Sequence, residues 1–413
     1  MAESAGSLLL TNALLFDGHS AELTEGASVL IEDGRIREVA DRPLKSSAAR
    51  SIDLGGKFLM PGLIDAHFHA YGISLDVRQF DQLPLSLLAH HAGRLLHEAL
   101  LRGYTTVRDA AGADYGLARA VELGLIKGPR IFFAGRSLSQ TGGHGDLRPA
   151  DQVQLCSCGY SGTLSVVVDG EDEVRKAARE ELRRGANQLK IMVSGGVLSP
   201  TDPIWMPQFT EGEIRAVVEE AATRRTYVMA HAHTSEAVRR CIQYGVRSIE
   251  HATLIDAPTA QLAASSAVFL VPTLAIVAGV MRLGTASRIP DSMMAKMREA
   301  SAASLAGFEH CVRAGAHIGF GTDMLGALHE HQSSEFVLRR EVSQAIDILR
   351  SATSVNAALL MQEGQLGCVR AGAHADLIAI DGNPLEDISL FERSAQSICL
   401  IAQKGILHKN TLQ

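Results

Sequence analysis

The chain has 413 residues, nearly half of them hydrophobic, with mixed charges and a formal net charge of −7. That length exceeds one small domain and suits an α/β barrel of roughly 250 residues with an accessory module. The mild acidity and scattered basic residues exclude a phosphate-binding stripe, so no nucleic-acid partner is expected, and Arg183-Arg184 and Arg339-Arg340 read as solvated helix ends or faces.

In chain order, residues 8–16, 27–32 and 35–39 read as short strands. Asp17-Gly18 and Asp33-Gly34 separate them, which is hairpin chemistry. Leu8 to Leu10 are followed at once by Thr11 and Asn12, without a basic flank, so no secretory signal is expected and the location reads as cytoplasmic. From residue 58 onward apolar runs alternate with segments of helical period. Eight strands are expected over 59–67, 105–109, 130–134, 188–193, 227–231, 248–251, 268–273 and 317–321. Helical stretches between them include 87–101, 171–184, 211–224, 292–314 and 334–350. Gly103, Gly185, Gly245 and Gly315 mark helix ends. This is the pattern of an α/β, TIM-type (β/α)8 barrel. Residues 268–281 contain Pro272 and are too short to cross a bilayer, so they read as a buried strand with its loop and no membrane partner is expected. A second strand set follows at 372–381 and 398–407, with a turn at 381–384. The two terminal sets are expected to form a small β-sandwich, giving residues 1–60 and 365–413 to the sandwich and 61–364 to the barrel. Six cysteines without regular spacing argue against a disulfide framework, and Cys156 and Cys158 read as loop residues.

Catalytic groups of such barrels sit at the C-terminal ends of the strands. His67 and His69, two apart on an extended chain, point the same way and can grip one ion. His231-Ala232-His233, Glu250-His251 and Asp323 end further strands. Imidazole and carboxylate converging from four strands indicate a metal centre for zinc-like ions. Lys190, in the apolar run 189–193, is costly to bury as an ammonium. It reads either as a lysine snorkelling or paired to Asp323 or Glu250, or as a neutral amine that takes up carbon dioxide to form a bridging carbamate, N6-carboxylysine.

Residues 61–69 (PGLIDAHFH), 105–109 (TTVRD), 321–323 (GTD) and 372–377 (GAHADL) resemble signatures of the amidohydrolase superfamily, over nearly the whole chain. Residues 141–146 (TGGHGD), 189–191 (LKI) and 194–196 (SGG) resemble its zinc dipeptidase and carboxypeptidase-like subgroup, which includes prolidases and ochratoxinases. The resemblance implies two divalent ions, taken as zinc. His67, His69 and Asp323 would hold the buried ion, His231 and His251 the exposed one, with carboxylated Lys190 between them. Asp323 would move the proton and His144 would hydrogen bond the carbonyl oxygen. His144, His233, Arg148, Tyr160 and the amides of Gly195 and Gly196 are candidates for holding substrate. Trp205, Met206 and Phe209 either line a pocket or pack their loop, and His329 and His331 read as surface residues. The implied substrate is a small-molecule amide: an acyl group joined to an amino acid with a free carboxylate. Ochratoxin A, giving ochratoxin alpha and phenylalanine, is favoured, with dipeptides or N-acyl amino acids beside it. A homo-oligomer, up to an octamer, is implied. The alternatives are an imidazolonepropionase-like cyclic amide hydrolase, which would not need Lys190, and a non-catalytic barrel scaffold.

Overall fold

The computed structural model describes residues 6–149 and 163–412. Cys156, Cys158 and Tyr160 lie outside the described residues.

Parallel strands and crossover helices occupy the middle of the chain. One three-stranded parallel sheet joins Leu63–Phe68, Tyr104–Asp109 and Arg130–Phe133. A seven-stranded parallel sheet runs Ser165–Val167, Ser137–Ser139, Leu189–Met192, Val228–Thr234, Ser248–Leu254, Phe269–Val271 and His317–Ile318. Backbone hydrogen bonds link the three-stranded sheet to segments flanking strands of the other: Ala66 N to Phe320 O at 2.8 Å, Asp323 N to His67 O at 2.8 Å, and Asn187 N to Phe133 O at 2.8 Å. Counting the strands that precede crossovers, eight match the expected βα units, the layout of a TIM-type barrel. The strands Ser137–Ser139 and Ser165–Val167 were not expected; they carry the glycine-rich turn that holds His144.

Local chemistry explains the helices. In Glu171–Arg183, Val174, Ala177, Ala178 and Leu182 are buried at helical spacing, and Glu171, Asp172 and Glu173 sit in the first turn, where the helix dipole favours negative charge. Thr210 and Glu213 form a reciprocal capping box at the start of Glu211–Thr223. Gly245 and Gly315 end Ser235–Tyr244 and Asp291–Ala314 with φ of 89° and 72°, which glycine adopts without steric cost.

Three expectations change. Residues 268–281 are not a strand with a loop: Phe269–Val271 ends before Pro272, and Leu274–Leu283 is helical. The 334–350 stretch breaks into Ser334–Arg340 and Ala345–Arg350. The expected first strand, 59–67, divides at Gly62, giving Phe58–Pro61 to the terminal sheet and Leu63–Phe68 to the barrel. A side chain at Gly62 would collide with Thr105.

Both chain ends enter one sheet of eight strands. Its path is Ile406–Asn410, Ile398–Gln403, Leu377–Ile380, Phe58–Pro61, Leu8–Leu15, Thr24–Glu32 and Arg35–Ala40, with Arg50–Asp53 paired to Leu8–Leu15. The sheet curls, because Ile36 N donates to Ala373 O at 2.9 Å and Ala375 N to Gly34 O at 3.0 Å. Period-two alternation sorts the side chains. Leu59, Leu377 and Ala379 join the core inside the curl. Phe58, Met60, Ile378 and Ile380 join Phe320, Phe336 and Tyr104 against the barrel. Arg339, expected on a solvated face, is fully buried: it binds Glu335 at 2.7 Å and the carbonyls of Gly319 and Pro272 at 2.9 and 2.8 Å. These bonds to a carboxylate and two carbonyls, with Ser351 Oγ at 3.4 Å, make that burial tolerable.

Candidate metal centre and active site

His67, His69 and Asp323 place ligand atoms within 4.8 Å of one another, at the rims of the first and eighth barrel strands. His69 Nε2 lies 3.1 Å from Asp323 Oδ1, and His67 Nε2 lies 3.5 Å from the same oxygen. The opposite ring nitrogens are occupied. His67 Nδ1 bonds Glu250 Oε2 at 2.7 Å, and His69 Nδ1 bonds Ala111 O at 3.2 Å. A carboxylate and a carbonyl can only accept, so both Nδ1 atoms carry a proton and both Nε2 atoms face Asp323; burial would lower His69, but its bond to the Asp323 carboxylate raises it. This donor set fits a divalent ion, with the outer partners that fix a ligating imidazole.

Glu250 is itself anchored. Arg108 Nη2 reaches its two oxygens at 2.9 and 3.0 Å, Ser248 Oγ donates at 2.5 Å, and Arg108 Nε donates to Ala66 O at 2.6 Å. Burial would raise the Glu250 carboxyl, but the Arg108 charge and the His67 bond outweigh it and hold the group down at about 2. On the other side, buried Asp65 accepts from His67 N, Thr322 N, Thr322 Oγ1 and Gln332 Nε2, tying the first rim to the eighth.

His231 and His251 stand beside this cluster, with ring centroids 4.6 Å apart and His251 4.9 Å from His67. They fall outside the three-residue group. His231 Nε2 donates to Gly195 O at 3.2 Å, leaving Nδ1 free, and His251 Nδ1 meets Thr273 Oγ1 at 2.8 Å. Burial pushes both imidazoles well below their ordinary value and His67 down to about 4, so these ligand candidates are neutral near pH 7. For Asp323, burial would raise the carboxyl, but its contacts with His67 and His69 outweigh burial and lower it. His251 and Asp323 both have positive φ, 70° and 57°, an uncommon backbone for non-glycine residues that recurs at functional sites.

Lys190 is 2 % exposed and lines the same cavity. Among the described residues its Nζ makes no hydrogen bond or ion pair, including to Asp323 or Glu250. Burial lowers its pKa to about 8, which makes the neutral, nucleophilic amine accessible.

His144 stacks on His231, with centroids 4.2 Å apart and planes 21° apart. Its Nδ1 lies 2.9 Å from Ser199 Oγ and 3.5 Å from Asp202 Oδ2, and its amide donates to Gln208 Oε1 at 2.9 Å. Gly196 packs flat on the ring, where a side chain would collide. His233 lines the cavity, with Nδ1 2.9 Å from Thr253 Oγ1.

The expected carboxylate holders among the described residues, Arg148, Gly195 and Gly196, are not brought together. Gly195 N donates to Met206 O at 2.9 Å and Gly196 N to Asp202 Oδ2 at 3.0 Å, so both amides are spent inside their own loop. Arg148 grips Asp146 at 2.7 and 2.6 Å, and none of these three lines the cavity. The cavity wall instead comprises Val197, Leu198, Ile276, Val277, Met297 and Leu325, among other apolar residues. Trp205 is exposed, Phe209 is buried in the barrel core, and neither these nor Met206 lines the cavity. His331 is exposed as expected, but His329 is buried against Phe68 and bonds Gly72 O at 3.1 Å. Sequence reasoning named Glu250 only as a strand-end carboxylate and a possible partner of Lys190, and assigned no role to Arg108, Ser199 or Asp202. Buried charge in apolar strands was the available signal for Arg108 and Glu250; the other two carry none.

The amidohydrolase family model matches residues 58–403. An ochratoxinase from Aspergillus niger is 32% identical over 412 residues, covering 94% of this chain and 84% of that protein. A prolidase crystallised with N-methylphosphonate-L-proline is 43% identical, with a TM-score of 0.95 over 98% of this chain and 100% of the other. A Xaa-Pro dipeptidase with methionine bound in its active site is 31% identical, with a TM-score of 0.87 over 98% and 100%.

Proposed function

This chain belongs to the amidohydrolase family and hydrolyses amide bonds, and from that premise we propose that it is a binuclear zinc carboxypeptidase-like or dipeptidase-like enzyme. It releases a C-terminal amino acid from an acyl group. The observation that carries this reading is the meeting of His67, His69 and Asp323 with an unpartnered, buried Lys190 in one cavity. His67, His69 and Asp323 would hold one ion, His231 and His251 a second, and Lys190 as N6-carboxylysine would lie between them. Such ions, when bound, lower the pKa of water and polarise a carbonyl.

The protein's own groups do the rest. Asp323, its carboxylate kept ionised by His67 and His69, takes the proton from the attacking water and delivers it to the leaving amine. His144, held by Ser199 and stacked on His231, meets the carbonyl oxygen as charge develops. The apolar wall excludes water and receives a bulky apolar group. That wall and the ochratoxinase relative support ochratoxin A as the favoured substrate, cleaved to ochratoxin alpha and phenylalanine. The prolidase and Xaa-Pro dipeptidase neighbours support a second reading, Xaa-Pro dipeptides. The reading includes a closed barrel, a terminal-sheet module of residues 1–60 and 365–413, and a homo-oligomer up to an octamer. The test is amino-acid release from ochratoxin A, N-acyl amino acids and Xaa-Pro dipeptides by zinc-supplied protein. Release that a chelator abolishes is expected; a metal-loaded protein inert on the whole panel overturns the reading.

A further inference from the structure

The loop after the fourth barrel strand, residues 194–209, holds the ring of His144 through two side chains, Ser199 and Asp202. The backbone carbonyls of these same two residues accept hydrogen bonds from one lysine. Lys296 Nζ lies 2.8 Å from Ser199 O and 2.9 Å from Asp202 O. Lys296 belongs to the helix Asp291–Ala314, in the excursion between the seventh and eighth barrel strands. Its neighbour Met297 is buried and lines the substrate cavity. Met297 also shares an apolar cluster with Val197 and Ile204 of the loop and with Ile276 and Val277 of Leu274–Leu283. One helix turn therefore contributes both a wall of the cavity and the clamp on the loop that seats His144.

We propose that Lys296 is a positioning residue for His144, joining the apolar wall at Met297 to the imidazole that faces the scissile carbonyl. An ammonium bonded to two carbonyls fixes the loop backbone more tightly than apolar contact alone, because charge-assisted hydrogen bonds are directional. A substrate group seated against Met297 then presses on the helix that sets the His144 ring. Binding energy from a part of the substrate remote from the reacting bond is thereby spent on orientation, which appears in kcat rather than KM. The inference rests on the hydrolytic reading above and adds a specificity device to it.

Steady-state kinetics of Lys296→Met, Lys296→Arg, His144→Ala and the double variant His144→Ala/Lys296→Met test it, on whichever panel substrate the wild-type enzyme turns over. Loosening the ring in Lys296→Met should lower kcat about 10- to 100-fold with little change in KM, the scale of a small misplacement. Lys296→Arg, which keeps a cation with several donors, should recover most of the loss. In the His144→Ala background the same lysine change should cost less than about twofold, because coupled groups are not additive. Equal losses in both backgrounds, or an unchanged kcat in Lys296→Met, overturn the proposal. A crystal structure of Lys296→Met supplies a readout without turnover: the His144 ring should leave Ser199, and a ring that stays in place overturns the proposal. An inert wild-type enzyme with a displaced ring in the variant would count against the hydrolytic reading alone.

Discussion

Asp323 and Lys190 show how differently single residues declare themselves. Asp323 combines a lowered carboxyl pKa with two imidazoles within 3.5 Å, so a neutral amide of the same shape should keep the fold and lose the base. Asp323→Asn is expected to lower kcat by roughly 10²- to 10⁴-fold, the usual worth of a positioned general base; turnover within a few-fold of wild type would remove Asp323 from that role. Lys190 carries its signal in what it lacks among the described residues, a partner. Lys190→Ala is expected to lose metal, measured by elemental analysis, and to regain part of its activity with a small carboxylic acid that replaces the carbamate. A variant that keeps two ions without additive would contradict the bridge. Glu250 acts one step further back, through His67 Nδ1 at 2.7 Å. Glu250→Gln should weaken metal affinity about 10- to 100-fold in chelator competition, because such outer partners fix the tautomer and basicity of the ligand; an unchanged affinity would mean that Arg108 and Ser248 hold Glu250 for packing only.

Elements were legible where their cause is local. Thr210 and Glu213 announce the start of Glu211–Thr223 through a capping box that needs only four consecutive residues. Thr210→Ala should cost about 1 kcal/mol, read as a lower urea midpoint at unchanged slope; an unmoved midpoint would show the cap to be redundant. Where the cause is distant, the sequence misled. The apolar run 268–281 suits a strand or a buried helix equally by periodicity. Tertiary packing chose a helix over Leu274–Leu283, because Ile276, Val277 and Val280 close the apolar cluster over the cavity and Glu335 caps Ala275 N at 2.7 Å. Residues 59–67 likewise read as one strand. They divide at Gly62, a position that packs too closely on Thr105 in another strand to carry a side chain. Arg339 looked like a helix-surface residue until its carbonyl partners, Gly319 and Pro272, came from two other strands' ends.

At the scale of the whole molecule, buried histidines set the response to acid. Burial holds His233 and His329 down at about 3, against an ordinary value of 6.5. Between those values the unfolded chain binds protons that the folded chain refuses, so stability falls as pH drops below 6.5. Asp65 and Asp109, raised by burial to about 6 from 3.8, act in the opposite sense: their contribution is lost as pH rises through that interval. Glu335, raised by burial to about 7, and the raised His69 act with those carboxylates, but His67, His231 and His251 are also lowered, so the lowered histidines still outnumber the opposing groups. Thermal unfolding of metal-stripped protein should therefore show a Tm that declines from pH 6.5 to 4. His329→Phe, which fills the space beside Phe68 without a titrating ring, should flatten part of that decline; an identical slope would assign the effect elsewhere. Among the described residues no helix is long and apolar enough to cross a membrane. By itself the sequence determined the alternation of strand and helix and the residue types at the strand ends, because period and polarity are written within a few neighbouring residues. Only the tertiary structure decided which ring nitrogens face Asp323, that both chain ends curl into one sheet, and that Arg148, Gly195 and Gly196 turn away from the cavity. Those outcomes depend on pairs such as His67 and Glu250, 183 residues apart, whose meeting no local pattern records.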